Sequence, residues 1–267
     1  MTVNKSTATI YASLPEGSLT PIADEILYGW NVTVLEEFSR YVRVKTEYGY
    51  EGYMAKSDLS EDCEGDYTVV AGLCGVVPTD EYKYPEIMLL PRLARVKVLE
   101  KGEKWTKILL ADGREAFVRT LHIAPWHGIF ARRGFADSIK PDVDLRQRIV
   151  GSAQRYLGTQ YRWGGKSSLG IDCSGLCFMA YYENGINIYR DAEPDTSYTK
   201  RIPLDRAKPG DLLYFPGHIA MVTEGLRFIH ASSALSMVGF NSLSPEDENY
   251  SEYLEKNLIT AATVFDD

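Results

Sequence analysis

The chain has 267 residues, 45% of them hydrophobic and 25% charged, a composition that builds packed cores and excludes intrinsic disorder. Its 29 basic and 37 acidic residues leave a formal net charge of −8, which argues against nucleic acid, membrane and other anionic surfaces as partners and favours small peptides or metabolites. No apolar run approaches the ~20 residues that span a bilayer, and the opening MTVNKSTATIYASL lacks the apolar stretch of a secretion signal. The expectation is a cytoplasmic protein as given, or an envelope or secreted one if a leader has been removed. Four cysteines, Cys63, Cys74, Cys173 and Cys177, are too sparse for a disulfide scaffold and suit a reducing compartment.

The length fits two or three domains. The first ~125 residues are rich in Tyr, Val and Thr and alternate in short segments, the period-2 signature of half-buried strands. These segments are ATIYAS (8–13), NVTVLEEF (31–38) and YVRVKTEYGYEGYM (41–54), the last with a turn near Tyr48-Gly49. The same grammar recurs over 94–123, with turns at Lys101-Gly102 and Asp112-Gly113-Arg114. Trp30 to Glu36 aligns loosely with Leu93 to Glu100, and Tyr41-Val42-Arg43-Val44 with Trp105-Thr106-Lys107-Ile108. Two small barrels over 1–60 and 61–126 account for this repeat. Their strand–turn–strand units ending in Gly-Tyr-Met or Ala-Phe-Val resemble bacterial SH3-like domains.

From about Asp142 the texture changes. Leu145, Ile149, Ala153 and Leu157 fall four apart, on one face of a helix. Asp142 or Asp144 is a candidate N-cap, and Gly158 follows the end. A second helix is predicted over 174–185, then strands over 211–215, 218–224 and 226–232. This order predicts an α+β domain over 127–267, joined to the barrels through 120–144.

Cys173 opens the second predicted helix after the glycine-rich Trp163-Gly164-Gly165 and Gly170. Unpaired N–H groups at a helix start favour thiolate over thiol, and a thiolate is the nucleophile that covalent amide hydrolysis uses. His218 and His230 lie on adjacent predicted strands, where they could stand side by side. His218 is then the base for Cys173, and His230 orients it through its other ring nitrogen.

The segments Tyr161-Arg162-Trp163-Gly164-Gly165, Asp172-Cys173-Ser174-Gly175-Leu176, Lys208 to Phe215 leading into His218 to Val222, and Phe228 to Ser232 together resemble the NlpC-type cell-wall cysteine peptidases. The resemblance spans about 155–235 with its blocks in the family's order. It implies a papain-like core, hydrolysis of peptidoglycan peptide bonds without a cofactor, and a triad of Cys173, His218 and His230. With the SH3-like repeats in front, the chain resembles the γ-D-glutamyl–diamino acid endopeptidases that act on small muropeptides with a free N-terminal L-Ala, in murein peptide recycling. Diaminopimelate or lysine can follow the glutamate.

The same resemblance implies substrate-binding roles. Tyr161 would line the site and assist the oxyanion hole, and Ser174 would contact substrate. Asp191 would salt-bridge the substrate ammonium, and Tyr53 would be a barrel aromatic facing the site. An acidic barrel residue is also expected; Asp24 and Glu25 are nearby options, and neither is assigned.

Three other readings compete. A zinc site on Cys173, Cys177, His218 and His230 lacks the short paired spacings of such centres, so no metal is assigned and Cys177 reads as a core residue. A peptidoglycan-binding module with a decayed hydrolase domain is disfavoured by an occupied triad. An amidase or acyltransferase on the same fold is the remaining alternative.

Overall fold

The computed structural model describes residues 1–16, 19–61, 63–126, 132–133 and 143–266. The chain divides into two compact units, Met1–Gly128 and Ile129–Asp267.

The first unit holds two strand-rich bodies. Strands β1 (Thr7–Tyr11), β2 (Ile22–Leu27), β3 (Val32–Glu37), β4 (Tyr41–Thr46) and β5 (Glu51–Ala55) form one antiparallel sheet in the order β2-β1-β5-β4-β3. Alternation does what it predicts in β4, where Val42, Val44 and Thr46 turn inward. The second body contains β6 (Tyr67–Val69), β7 (Leu73–Val76), β8 (Met88–Pro91), β9 (Arg95–Lys101), β10 (Trp105–Leu109), β11 (Glu115–Arg119) and β12 (Ile123–Pro125). Its main sheet runs β11-β10-β9-β6-β12, and β7 pairs with β8.

The internal repeat is physical. β3 shifts register against β4 between Val34 and Glu36, and β9 shifts against β10 between Val98 and Glu100. Each three-stranded meander therefore bulges at its own Val-Leu-Glu, which bends and twists the sheet. Each then ends in a one-turn 3-10 helix, Lys56–Asp58 or Thr120–His122.

The two bodies share a seam. Trp30 Nε1 donates to the Leu93 carbonyl at 2.7 Å, and the Tyr28 hydroxyl accepts from the Ala111 amide at 2.8 Å. Arg95 forks onto Glu47 at 2.8 and 2.7 Å while its guanidinium lies 4.4 Å from the Trp126 ring centre. Tyr28 also packs into the second core, beside Val96, Ile108 and Leu110.

Strand β2 escaped the period-2 reading because its sequence carries Asp24 and Glu25, which look solvent-bound. Both are buried, and the Tyr48 hydroxyl donates to Asp24. Cys74 is buried in the second core and Cys63 is half-buried; all four cysteines are free thiols.

The second unit opens with helix α1 (Val143–Gln154). Leu157 lies beyond its end and is 45% exposed, so the apolar stripe is one turn shorter than its spacing predicts. Asp144 lies inside the first turn rather than capping it, and Asp142 falls outside the described residues, as does most of the 120–144 connection. Helix α2 (Cys173–Tyr182) is buried at all ten positions. A helix that is apolar all round can only be central, and α2 packs on α1 and on the sheet.

That sheet comprises β13 (Lys200–Ile202), β14 (Leu212–Phe215), β15 (His218–Glu224), β16 (Arg227–Ser232), β17 (Met237–Ser242) and β18 (Thr260–Thr263), ordered β13-β18-β14-β15-β16-β17. A short helix α3 (Glu252–Lys256) precedes β18. Strands β14, β15 and β16 occupy the predicted segments; β13, β17 and β18 are too short or too polar to show by alternation.

The Lys208–Asp211 turn that launches β14 is tied to both long helices. Arg146 of α1 bonds Asp211 at 3.0 Å and the Pro209 carbonyl at 2.9 Å, and the Tyr181 hydroxyl of α2 donates to the Gly210 carbonyl.

Candidate active site

Asp172 caps α2 and organises what surrounds it. Its Oδ1 accepts from the Gly175 amide at 2.6 Å, satisfying an N–H that the helix start leaves open, and its Oδ2 accepts from the Gly164 amide of the preceding loop at 2.8 Å. Arg190, 3% exposed, donates to Asp172 at 3.2 Å, to Ser174 Oγ at 2.7 Å and to the Gly164 carbonyl at 3.2 Å. The glycines are steric necessities. A Cβ on Gly175 would sit 2.2 Å from the Gly165 carbonyl oxygen.

This support fixes Cys173 at the first helical position, 6% exposed. Its sulfur accepts from the amides of Ser174 and of Ile219, the residue after His218 on β15. Burial, reinforced by the Asp172 charge, pushes the thiol up to about 11 against the opposing pull of those amides and Arg190. Burial thus outweighs the helix end, and the group at rest is a thiol where the sequence favoured a thiolate.

Across a two-residue turn at Pro216-Gly217, β14 returns as β15 and delivers His218. His218 Nε2 lies 2.8 Å from His230 Nδ1 of the neighbouring strand β16. Both rings pack on aromatics: Phe215 lies 5.8 Å from His218 and Phe228 5.1 Å from His230, centre to centre. That burial, with His230 as a second influence on His218, lowers both imidazoles to about 4. Each ring is therefore neutral at pH 7. His230 Nε2 in turn contacts Asn241 Oδ1 at 3.0 Å.

The other predicted residues separate. Tyr161 is close enough to Cys173 and Asp172 for their charges to act on its hydroxyl; burial is the larger cause and raises it to about 12. The Ser174 hydroxyl is turned inward, donating to Asp172 at 3.2 Å and accepting from Arg190. Asp191 is half-buried and acts on Tyr189, whose ring lies 5.9 Å from that of Tyr198. Tyr53 belongs to the first unit, on β5, with its ring 5.8 Å from Phe38. Cys177 is fully buried, and its thiol is raised well above the ordinary value by burial.

Asp172, Arg190 and Asn241 were not singled out by the sequence. Asp172 carried a legible signal, an N-cap residue type directly before a helix. Arg190 and Asn241 had none, since their partners are remote in sequence.

A buried cysteine starting a central helix, beside a sheet that carries two coupled imidazoles, defines a thiol hydrolase of α+β, papain-like build. A model described as the NlpC/P60 family matches residues 158–261. Dipeptidyl-peptidase 6 of Lysinibacillus sphaericus is 33% identical over 91% of this chain and 92% of its own length. Gamma-D-glutamyl-L-lysine dipeptidyl-peptidase of Bacillus subtilis is 27% identical over 79% of this chain and 72% of its own. A crystal structure of an NlpC/P60 family protein from Bacillus cereus covers 97% of both chains with a TM-score of 0.77 at 18% identity. The chain belongs to the NlpC/P60 family and is a cysteine peptidase.

Proposed function

We propose that the chain is a peptidoglycan endopeptidase that cleaves the bond between γ-linked D-Glu and the following diamino acid in stem peptides bearing a free N-terminal L-Ala, as in murein peptide recycling. The observation that carries the reading is the likeness over nearly the full chain, barrels included, to a protein named dipeptidyl-peptidase, seconded by one named for the γ-D-glutamyl-L-lysine bond. A dipeptidyl-peptidase releases two residues from the amino end of its substrate, which here is L-Ala-γ-D-Glu.

Chemically, Cys173 Sγ attacks the γ-carbonyl carbon as its proton passes to His218. With Nε2 engaged by His230, the nitrogen that takes the proton is His218 Nδ1. The oxyanion is met by donors next to the sulfur. Tyr161 keeps its proton across the working range because its hydroxyl titrates at about 12, and it can donate there with the Ser174 amide. The diamino acid leaves as an amine carrying the proton from His218. Water, deprotonated by His218, then releases the dipeptide acid from the thioester. Asp191 is the proposed partner of the substrate ammonium, and Tyr53 the proposed barrel contact.

Mass spectrometry of digests of L-Ala-γ-D-Glu-diamino acid tri- and tetrapeptides, with free and acetylated amino ends, tests the reading. The expected products are L-Ala-γ-D-Glu and the free amine from unblocked peptides only, and none with Cys173→Ala. Cleavage elsewhere, transfer to an added amine in place of hydrolysis, or equal cleavage of blocked peptides overturns it.

A further inference from the structure

We infer that Asn241, backed by the main-chain carbonyl of Asn249, is a positioning residue that sets the tautomers of both histidines and leaves His218 Nδ1 as the basic nitrogen; the inference deepens, and rests on, the reading of Cys173, His218 and His230 as the reacting group. The chain of logic starts from an atom that can only accept. Asn241 Nδ2 donates to the Asn249 carbonyl at 2.8 Å, so the amide nitrogen must point that way and the amide oxygen must point the other.

That oxygen, Asn241 Oδ1, lies 3.0 Å from His230 Nε2. An amide oxygen has no proton, so His230 Nε2 carries one. A neutral imidazole has a single N–H, which leaves His230 Nδ1 as an acceptor. His218 Nε2, 2.8 Å away, must then be the donor, and the lone pair of His218 falls on Nδ1. The opposite tautomer of either ring would set two lone pairs or two protons face to face.

The anchor at the far end is held firmly. The Asn249 carbonyl also accepts the Ser242 amide at 3.0 Å. Its loop is stapled by Ser242 Oγ to Asp247 at 2.6 Å and by Arg227 to Asp247 at 2.7 Å. Opposite His230 on β17 stands Gly239. Asn241, two residues along the strand, lies on the same face.

The chemical consequence concerns the proton. When His218 Nδ1 accepts the thiol proton, the new charge is met by His230 and a neutral amide, not by a carboxylate. Asp172, the carboxylate that caps α2, is already paired with Arg190. The imidazolium is therefore weakly held and returns its proton readily to the departing amine.

Long-range proton–nitrogen NMR of the full chain labelled at histidine, assigned with His122→Gln and His127→Gln, reads the tautomers without substrate. Both His218 and His230 are expected as Nε2–H at pH 7.5. Asn241→Leu should scramble the His230 signals and lower kcat by about 10–100-fold with little change in KM. Asn241→Asp keeps the acceptor and adds charge, so it should retain more activity and move the acid limb of kcat/KM up by about one pH unit or more. A purely structural role would lower the melting temperature without moving tautomer or acid limb.

The inference is overturned by an Nδ1–H form of either ring in the wild type, or by an unmoved acid limb in Asn241→Asp. If Asn241→Leu fails to fold, those two measurements still decide. Were muropeptide cleavage itself absent, the tautomers would still be read, so failure of the proposed function and failure of this inference are separable.

Discussion

Arg190 and Asp172 form a buried ion pair at 3.2 Å beneath the first turn of α2, with Ser174 Oγ bridging them. Removing one member of such a pair leaves the other charged and desolvated, at a cost of about 3–5 kcal/mol. Arg190→Leu should therefore lower unfolding free energy by that order in urea titrations, and it should also raise the Cys173 thiol further, since the guanidinium opposes the Asp172 charge. Arg190→Lys, which lacks the planar fork, should fall between. A cost within about 0.5 kcal/mol for Arg190→Leu would show that the pair does not hold the helix start.

Stability should follow pH in a window set by the histidine pair and the thiol. Folding lowers the imidazoles from 6.5 to about 4, so between those values the unfolded chain binds more protons and stability falls as pH falls. Above pH 6.5 this contribution is fully present. The thiol works in the opposite sense: raised from 9.0 to about 11, it favours the folded state until pH climbs through that range. The plateau should lie between about pH 6.5 and 9, and between pH 7.5 and 5 the loss should be on the order of 2 kcal/mol per ring. Urea midpoints at the two pH values check this, with His230→Leu expected to flatten the acid side.

The specificity proposed for Asp191 has its own signature. Its neighbour Arg190 is locked to Asp172, which brings the 189–191 segment to the start of α2. If Asp191 meets the substrate ammonium, Asp191→Ala should erase most of a preference for free over acetylated peptides that is about 100-fold or more in the wild type. The ratio of kcat/KM for the two peptides is the measurement. An unchanged ratio would remove Asp191 from the site.

Gly29 governs the seam between the two barrels. It has φ +75°, and a Cβ there would stand 2.1 Å from the Arg95 carbonyl oxygen. Gly49, at φ +87°, has nothing within 4 Å of the same position. Both alanine variants incur the left-handed backbone penalty of about 1–2 kcal/mol, but only Gly29→Ala also drives one barrel off the other. Its loss of thermal stability should clearly exceed that of Gly49→Ala; equal losses would mean that the seam yields without cost.

Local signals served well where the neighbours that matter are close in the chain. Alternation in Tyr41–Thr46 marked a strand because one face is wet, and Asp172, directly before α2, was a legible cap left unread although capping is a local bond. The four-residue spacing misled at Leu157, where it continued past the helix end, and β2 went unread because Asp24 and Glu25, both buried, interrupt its apolar pattern.

Composition and periodicity were enough to determine the α+β class and the strand-rich repeat, because each depends on residue type at short spacing, and the ordered cysteine and histidine blocks were enough to propose the reacting groups. Only the tertiary structure decided the ionisation of Cys173, the inward turn of the Ser174 hydroxyl and the run from Asn249 through Asn241 to His230 and His218. Desolvation and hydrogen-bond direction belong to the three-dimensional surroundings of an atom, and β17 reaches β16 only once the sheet has formed.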